Sequence, residues 1–207
     1  MKLASALYDS HYPFKEMDMF DDYTVVNDPS ELDKDSCLVV WGGADISPSL
    51  YNRPVSPYTH ADDRPSWRDA AEWNLMQRAQ ELNIPIIGIC RGAQMLCALA
   101  GGFLIQDVTN HTSGHLVKTN KGDVFQVSSL HHQMLYPFDV PHELVAWSKH
   151  QLSDHYIDVK ESIQMEIEPE FVYFPRDRGI AIQWHPEFMK VNTNANAYVK
   201  QKLKDYL

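Results

Sequence analysis

Five residues, Gly88-Ile89-Cys90-Arg91-Gly92, restrict the folds open to this chain more than any other feature. The continuous apolar run 85–90 before them reads as a buried strand, and 93–100 after them as an apolar helix ended by Gly101-Gly102. A strand that becomes a helix within one residue needs a sharp turn. Glycines on both flanks remove the Cβ atoms that would collide as the two backbones approach. Such a turn holds Cys90 at the sheet edge and at a helix N-terminus, where unpaired N–H groups and the helix dipole favour a thiolate. The same residues also fit a strand with an ordinary buried cysteine, so a second group has to decide.

That group lies in Ala181-Ile182-Gln183-Trp184-His185-Pro186-Glu187. Read as the end of a buried strand, alternation puts His185 and Glu187 on one face about 6.6 Å apart, while Pro186 points away and ends the pairing. A carboxylate there can hold one imidazole nitrogen as N–H and leave the other to take a thiol proton. Alone, His-Pro-Glu is equally a surface turn. Combined with the cysteine turn it points to a Cys90-His185-Glu187 site.

The rest of the pattern supplies a setting. Apolar runs at 3–8, 23–26 and 37–41 read as strands, and Ala71, Leu75, Ala79 and Leu82 recur at helical spacing after an entry at 65–68. This is the alternation of βα units around a parallel sheet. After residue 103 the character changes to short strands at 104–108, 116–118, 124–127, 144–148, 163–167 and 171–174, then a buried strand at 180–184 and a terminal helix at 195–207. We expect an α/β fold with a central, mostly parallel sheet and a small antiparallel extension, as a single domain over 1–207. The Pro-rich stretch 48–65 reads as a long loop and a candidate lid.

Exclusions follow from charge and cysteine use. A formal charge of -10 argues against a non-specific grip on nucleic acid. Three cysteines without paired spacing indicate neither a disulfide framework nor a zinc ribbon, and Cys37 and Cys97 read as core. No apolar run approaches the ~20 residues of a membrane span, so a cytoplasmic protein is expected. His111 and His115 are four apart, but Thr112-Ser113-Gly114 between them opposes a helix and suggests a solvated loop. No metal and no cofactor are expected.

Three blocks then resemble a known family, the class I glutamine amidotransferase-like proteins, and within it the γ-glutamyl hydrolase branch (peptidase C26) that includes γ-glutamyl-γ-aminobutyrate hydrolase. They are Trp41-Gly42-Gly43-Ala44-Asp45-Ile46-Ser47-Pro48 with Tyr51, Gly88 to Gln94, and Gln183 to Glu187; Arg68-Asp69 with Glu72 and Leu75 looks like the same branch. The resemblance implies a flavodoxin-like three-layer sandwich with a nucleophile elbow. It implies that Cys90 attacks the δ-carbonyl of a γ-glutamyl amide to leave a thioester, that His185 shuttles the proton, and that Glu187 orients it. It puts the oxyanion hole at the N–H groups of Gly43 and Arg91, with Gly42, Gln94, Ser129, His131 and Gln133 near the substrate. One departure is visible: only about fourteen residues, Asp9 to Asp22, join the first two strands, so the helix usual there must be short or irregular.

Three functions compete. A stand-alone hydrolase of a small γ-glutamyl compound is favoured by Arg91, where ammonia-donating relatives more often carry an apolar or aromatic residue. A glutaminase subunit would deliver ammonia to a separate synthetase partner, since a second synthetase domain is not expected in these residues. A catalytically inert binding module would keep the fold alone.

Overall fold

The computed structural model describes residues 1–8 and 14–207. Strands β1 (Lys2–Ala6), β2 (Asp22–Val26), β3 (Ser36–Val40) and β4 (Ile86–Ile89) make up the first half. After them come β5 (Phe103–Ile105), β6 (Asp107–Val108), β7 (His115–Thr119), β8 (Val124–Val127), β9 (Met134–Tyr136), β10 (Glu143–Ser148), β11 (Tyr156–Asp158), β12 (Glu161–Ser162), β13 (Pro169–Phe174) and β14 (Gly179–Ile182). Helices are α1 (Trp67–Leu82), α2 (Arg91–Leu99) and α3 (Asn194–Tyr206).

Among the described residues, nine strands form one sheet in the order β2-β1-β3-β4-β14-β13-β10-β7-β8. Neighbours from β2 to β14 run parallel, and from β14 to β8 antiparallel. The expected α/β architecture is present, and its antiparallel extension continues the central sheet. Two small sheets, β12-β11-β6 and β5-β9, lie beside it.

Every position of β3 and β4 is buried, so a layer must cover each face. Alternation sorts the side chains. Leu38, Val40 and Ile86 face a core shared with α1 and α2, while Cys37, Val39, Ile87 and Ile89 face a second core closed by Ala195, Val199 and Leu203 of α3. Each such aliphatic side chain contributes about 1.5–3 kcal/mol by leaving water. Helix α1 starts where Ser66 and Asp69 cap each other, Asp69 N–H donating to Ser66 Oγ at 3.0 Å and Ser66 N–H to Asp69 Oδ2 at 2.9 Å. It stops at Asn83, which takes the left-handed conformation.

Some expectations are corrected. Residues 163–167 form no strand: Ile163 and Met165 pack onto the first core, so their alternation reflects burial without a ladder partner. The hairpin β11-β12 precedes them instead. Strand β9 had no periodic signal, being three residues that pair with three of β5. In the first connection residues 14–18 form turns, and Phe14, Met17 and Phe20 enter the second core; residues 9–13, where part of the expected short helix falls, lie outside the described residues. The 48–65 segment is anchored, with Ser56 N–H donating to Gln106 Oε1 at 3.0 Å and Ser47 Oγ to the Asp63 carbonyl at 2.8 Å. Among the described residues, no helix is long and apolar enough to cross a membrane.

Candidate active site

Strand β4 feeds α2 through Cys90, whose backbone adopts φ 49° and ψ −106°. This sparsely populated conformation costs on the order of 1–3 kcal/mol and persists only when its surroundings impose it. They do. Cys90 N–H donates to the Ile182 carbonyl of β14 at 2.7 Å. A Cβ on Gly88 would lie 2.4 Å from the Gly92 carbonyl oxygen, and one on Gly92 would lie 2.1 Å from that of Val40. Only glycine permits both approaches, as the sequence predicts, and the sulfur is held over the end of the parallel strands.

His185 arrives from β14, three residues beyond its last paired position, Ile182. The expected geometry is corrected here: His185 and Glu187 do not share a strand face. His185 caps a 3-10 turn, Pro186–Phe188, and this turn folds the Glu187 carboxylate back to 2.7 Å from His185 Nδ1. The other ring nitrogen is left for Cys90, which lines the same cavity as the imidazole and acts on it electrostatically. Burial lowers the imidazole pKa, but the contacts with Cys90 and Glu187 outweigh it and push it up to about 10. Ser128 clips the histidine backbone from both sides, its Oγ donating to the His185 carbonyl at 2.7 Å and accepting from His185 N–H at 3.2 Å. Phe188 stacks on the ring, centroids 4.4 Å apart. Gly42 lies against the pair, for a Cβ there would reach His185 Cε1 at 2.7 Å and Cys90 Cβ at 3.6 Å.

A cavity of about 560 Å³ opens over the sulfur, lined by Tyr8, Trp41, Gly42, Gly43, Cys90, Leu130, His185, Glu187 and Phe188. A smaller recess leads from Cys90 along Gly43, Asp45, Gln94, His131, His132 and Gln133. The first is walled largely by aromatic and apolar side chains and the second by polar ones. Arg91 is the first residue of α2, so its N–H has no intrahelical acceptor, and Gly43 borders both spaces. Gln94 Nε2 donates to the Gln133 carbonyl at 3.2 Å, and Gln133 Nε2 to Thr59 Oγ1 at 3.0 Å. Ser129 is not among the lining residues: its Oγ donates to the His111 carbonyl at 2.6 Å. Two further polar groups of the recess lie within segments that the sequence marks, His132 in 129–133 and Asp45 in 41–48. His132 Nε2 meets Asp45 Oδ1 at 3.0 Å, a bond that pushes the His132 pKa up. Asp45 falls inside the Trp41–Pro48 block, which was the available signal.

The Arg91 side chain does not face the cavity. It pairs with Asp69 and Glu72, all buried. Glu72 Oε1 also accepts from Arg68 Nε at 2.9 Å, and Arg68 Nη2 donates to the Gly42 carbonyl at 2.9 Å. A buried ionic chain therefore runs from the residue after Cys90 to the back of the Gly42-Gly43 loop. The identity of residue 91 accordingly bears on how the loop is braced, and contacts with a leaving group do not enter.

The solvated-loop reading of His111 and His115 is overturned. His111 is fully buried and His115 begins β7, also buried. Together with His131, Glu168 and Glu170 they form a closed cluster. Burial opposes the charge on His111, but Glu168 and Glu170 push its pKa up to about 9. Burial likewise opposes the Glu168 charge, and His111 with backbone N–H groups brings that carboxyl down to about 2. Among the described residues, two groups have donor atoms close enough to hold a metal, His111-His131-Glu170 and the more exposed Asp45-His60-His132. Cys37 and Cys97 are fully buried, and burial raises both thiols, Cys97 to about 12; the core reading holds for them.

Comparison with known proteins places this geometry. The peptidase C26 family model matches residues 30–187. The chain is 28% identical to the protein NtpR of Enterococcus hirae over 198 residues, 84% of this chain and 74% of that one. It is 32% identical over 162 residues to a Mycobacterium tuberculosis protein provisionally named a glutamine amidotransferase, covering 75% of this chain and 52% of the relative, about half its length. Two solved structures share the fold. A glutamine amidotransferase from Thermotoga maritima superposes with TM-score 0.60 at 15% identity over all of this chain and 86% of its own. PurLQS from the same organism gives 0.66 at 14% identity over 99% and 98%.

Proposed function

The chain belongs to the peptidase C26 family, and from that premise we propose that it is a cysteine hydrolase cutting the γ-glutamyl amide of glutamine or a small γ-glutamyl compound. The observation that carries the reading is that one imidazole, His185, is bonded on one side to Glu187 and lines, together with Cys90, one open cavity.

The residues assign the steps. The Cys90 sulfur attacks the δ-carbonyl carbon, and the oxyanion that forms takes hydrogen bonds from Gly43 and Arg91 N–H, each such donor worth on the order of 3 kcal/mol. His185 gives its proton to the amide nitrogen, the C–N bond breaks, and ammonia or an amine leaves behind a thioester. Water then loses a proton to His185 and attacks the same carbon; sulfur departs and the free carboxylate is released. The polar recess of Asp45, Gln94, His131, His132 and Gln133 suits the amino-acid end of the substrate, and the aromatic cavity suits the leaving group. No cofactor is required by this chemistry.

Labelling with a glutamine-analogue diazoketone tests the reading. One adduct is expected at Cys90, with hydrolysis of glutamine or γ-glutamyl amines lost by at least about 10⁴-fold in Cys90→Ala. An unlabelled Cys90 together with no turnover of any γ-glutamyl amide would leave an inert binding module. The pH profile of kcat/KM tests the pair itself. His185 is raised above its ordinary 6.5, so its proton is held through neutral pH and lost as pH rises through about 10. Glu187→Gln removes one raising contact and should move the alkaline limb to lower pH; an unchanged profile would remove Glu187 from the mechanism.

One observation favours a second reading, ammonia delivery to a separate synthetase. Leu130 and Phe188, which line the cavity, are 59% and 66% exposed and present an apolar rim to a partner. Fast turnover by the isolated chain excludes it, and a large rise on adding a synthetase supports it.

A further inference from the structure

Beneath the recess, three imidazoles and two carboxylates are packed into the protein interior, and the reaction proposed above uses none of the carboxylates. His111 and Glu170 are fully buried, Glu168 is 2% exposed and His131 5%. Burying charged groups is costly unless they are paired and hydrogen-bonded, yet hydrogen bonding does not account for the arrangement. Both nitrogens of His111, Nε2 of His131 and Oε2 of Glu170 have no hydrogen-bond partner.

The separations are informative. His111 Nδ1 and His131 Nε2 lie 3.4 and 3.6 Å from the same oxygen, Glu170 Oε1. Those values exceed the usual hydrogen-bond range of about 2.7–3.2 Å. They match the edge of a tetrahedron whose centre holds a metal at about 2.0–2.1 Å from each donor, which is about 3.3 Å. The tautomer agrees. His131 Nδ1 lies 2.9 Å from the Gln133 carbonyl, which can only accept, so Nδ1 carries the hydrogen and the neutral ring turns a bare Nε2 lone pair toward a carboxylate oxygen. Two lone pairs facing each other in a dry interior require a cation or a proton between them.

Two of the donors also have an outer hydrogen-bond partner of the kind that orients metal ligands. Gln133 O holds His131 and His115 Nε2 meets Glu170 Oε1 at 3.0 Å, while Glu168 Oε2 lies on the far side of His111, 3.3 Å from Nε2. Glu168 is fixed in turn by N–H groups of Leu152 and Ser153 and by the Tyr156 hydroxyl. The charge closes as well, for two carboxylates with neutral imidazoles balance one divalent ion.

We propose that His111, His131 and Glu170 bind one divalent transition-metal ion of the zinc type, with an enclosed water as the fourth ligand. The set joins three separate segments, the turn before β7, the loop at 128–133 and strand β13. His131 N–H and Ser129 Oγ both bond to the His111 carbonyl, so the ion fastens the loop that walls the recess. Its role is structural, since the site is closed to solvent.

The test reads metal, not turnover. Chain purified without a metal-affinity tag is expected to retain about one equivalent of a transition metal by mass spectrometry. After removal by chelator and refilling with Co(II), it should show the visible d–d bands of a four-coordinate site with nitrogen and oxygen donors. Glu170→Gln and His131→Gln should each weaken Co(II) binding by at least tenfold, while His60→Ala, in the other candidate group, should not. If Glu170→Gln fails to fold, His131→Gln and the wild-type spectrum decide. Wild-type chain that stays metal-free and gives no Co(II) spectrum would overturn the proposal, leaving a cluster balanced by protonated imidazoles. Unchanged Co(II) bands in the folded variants would overturn it equally.

Discussion

Two buried ionic clusters flank Cys90, and they solve the same problem differently. Behind the Gly42-Gly43 loop, Arg68 and Arg91 face Asp69 and Glu72, two permanent positive charges against two carboxylates, joined by hydrogen bonds and capped onto α1. Beneath the 128–133 loop, Glu168 and Glu170 face three histidines, whose charge depends on protons or on an ion. A guanidinium stays charged at every accessible pH, whereas an imidazole is neutral or charged according to its surroundings. The first cluster is therefore a fixed brace, and the second is conditional on what fills it.

The largest expected effect comes from breaking the brace. Glu72→Gln removes the carboxylate that both arginines share, and leaving a buried charge uncompensated costs about 3–5 kcal/mol. Urea denaturation measures it; a loss below about 1 kcal/mol would show that the brace is not what holds α1 to the loop. Next is Arg68→Ala, which takes the donor from the Gly42 carbonyl without touching the cavity. As a positioning residue it should lower kcat by up to about 100-fold, with KM changed less than about twofold and partial rescue by Arg68→Lys. A rise in KM at constant kcat would place Arg68 in binding instead. The smallest effect belongs to the recess above the other cluster. His132→Ala should raise KM about tenfold with kcat little changed, the size of one lost hydrogen bond of about 1.4 kcal/mol. Equal losses in kcat would mean that the recess acts on the reacting carbonyl.

The difference between the clusters also separates what the sequence shows from what it hides. The elbow is legible because its cause is local: Gly88 and Gly92 flank one cysteine, and the collisions that require them arise within the same turn and against the adjacent strand. The parallel strands are legible because burial on both faces writes a continuous apolar run. His185 and Glu187 are legible as partners because they are two residues apart, although the contact is made by a 3-10 turn and not by strand alternation.

Tertiary structure decided the remainder, because its partners are distant in sequence. Nothing between Asp45 and His132, or between His115 and Glu170, signals that they meet 87 and 55 residues apart. A histidine pair interrupted by Thr112-Ser113-Gly114 reads as loop by composition, and only the packing of β7 against β10 and β10 against β13 encloses it. By itself, the sequence determined a strand-turn-helix with a cysteine at its bend, a histidine and its carboxylate, and the α/β class that could bring them together. Which charges were buried, which were left without partners and which loops they hold followed from chain closure, since desolvation and pairing exist only once distant segments exclude water from one another.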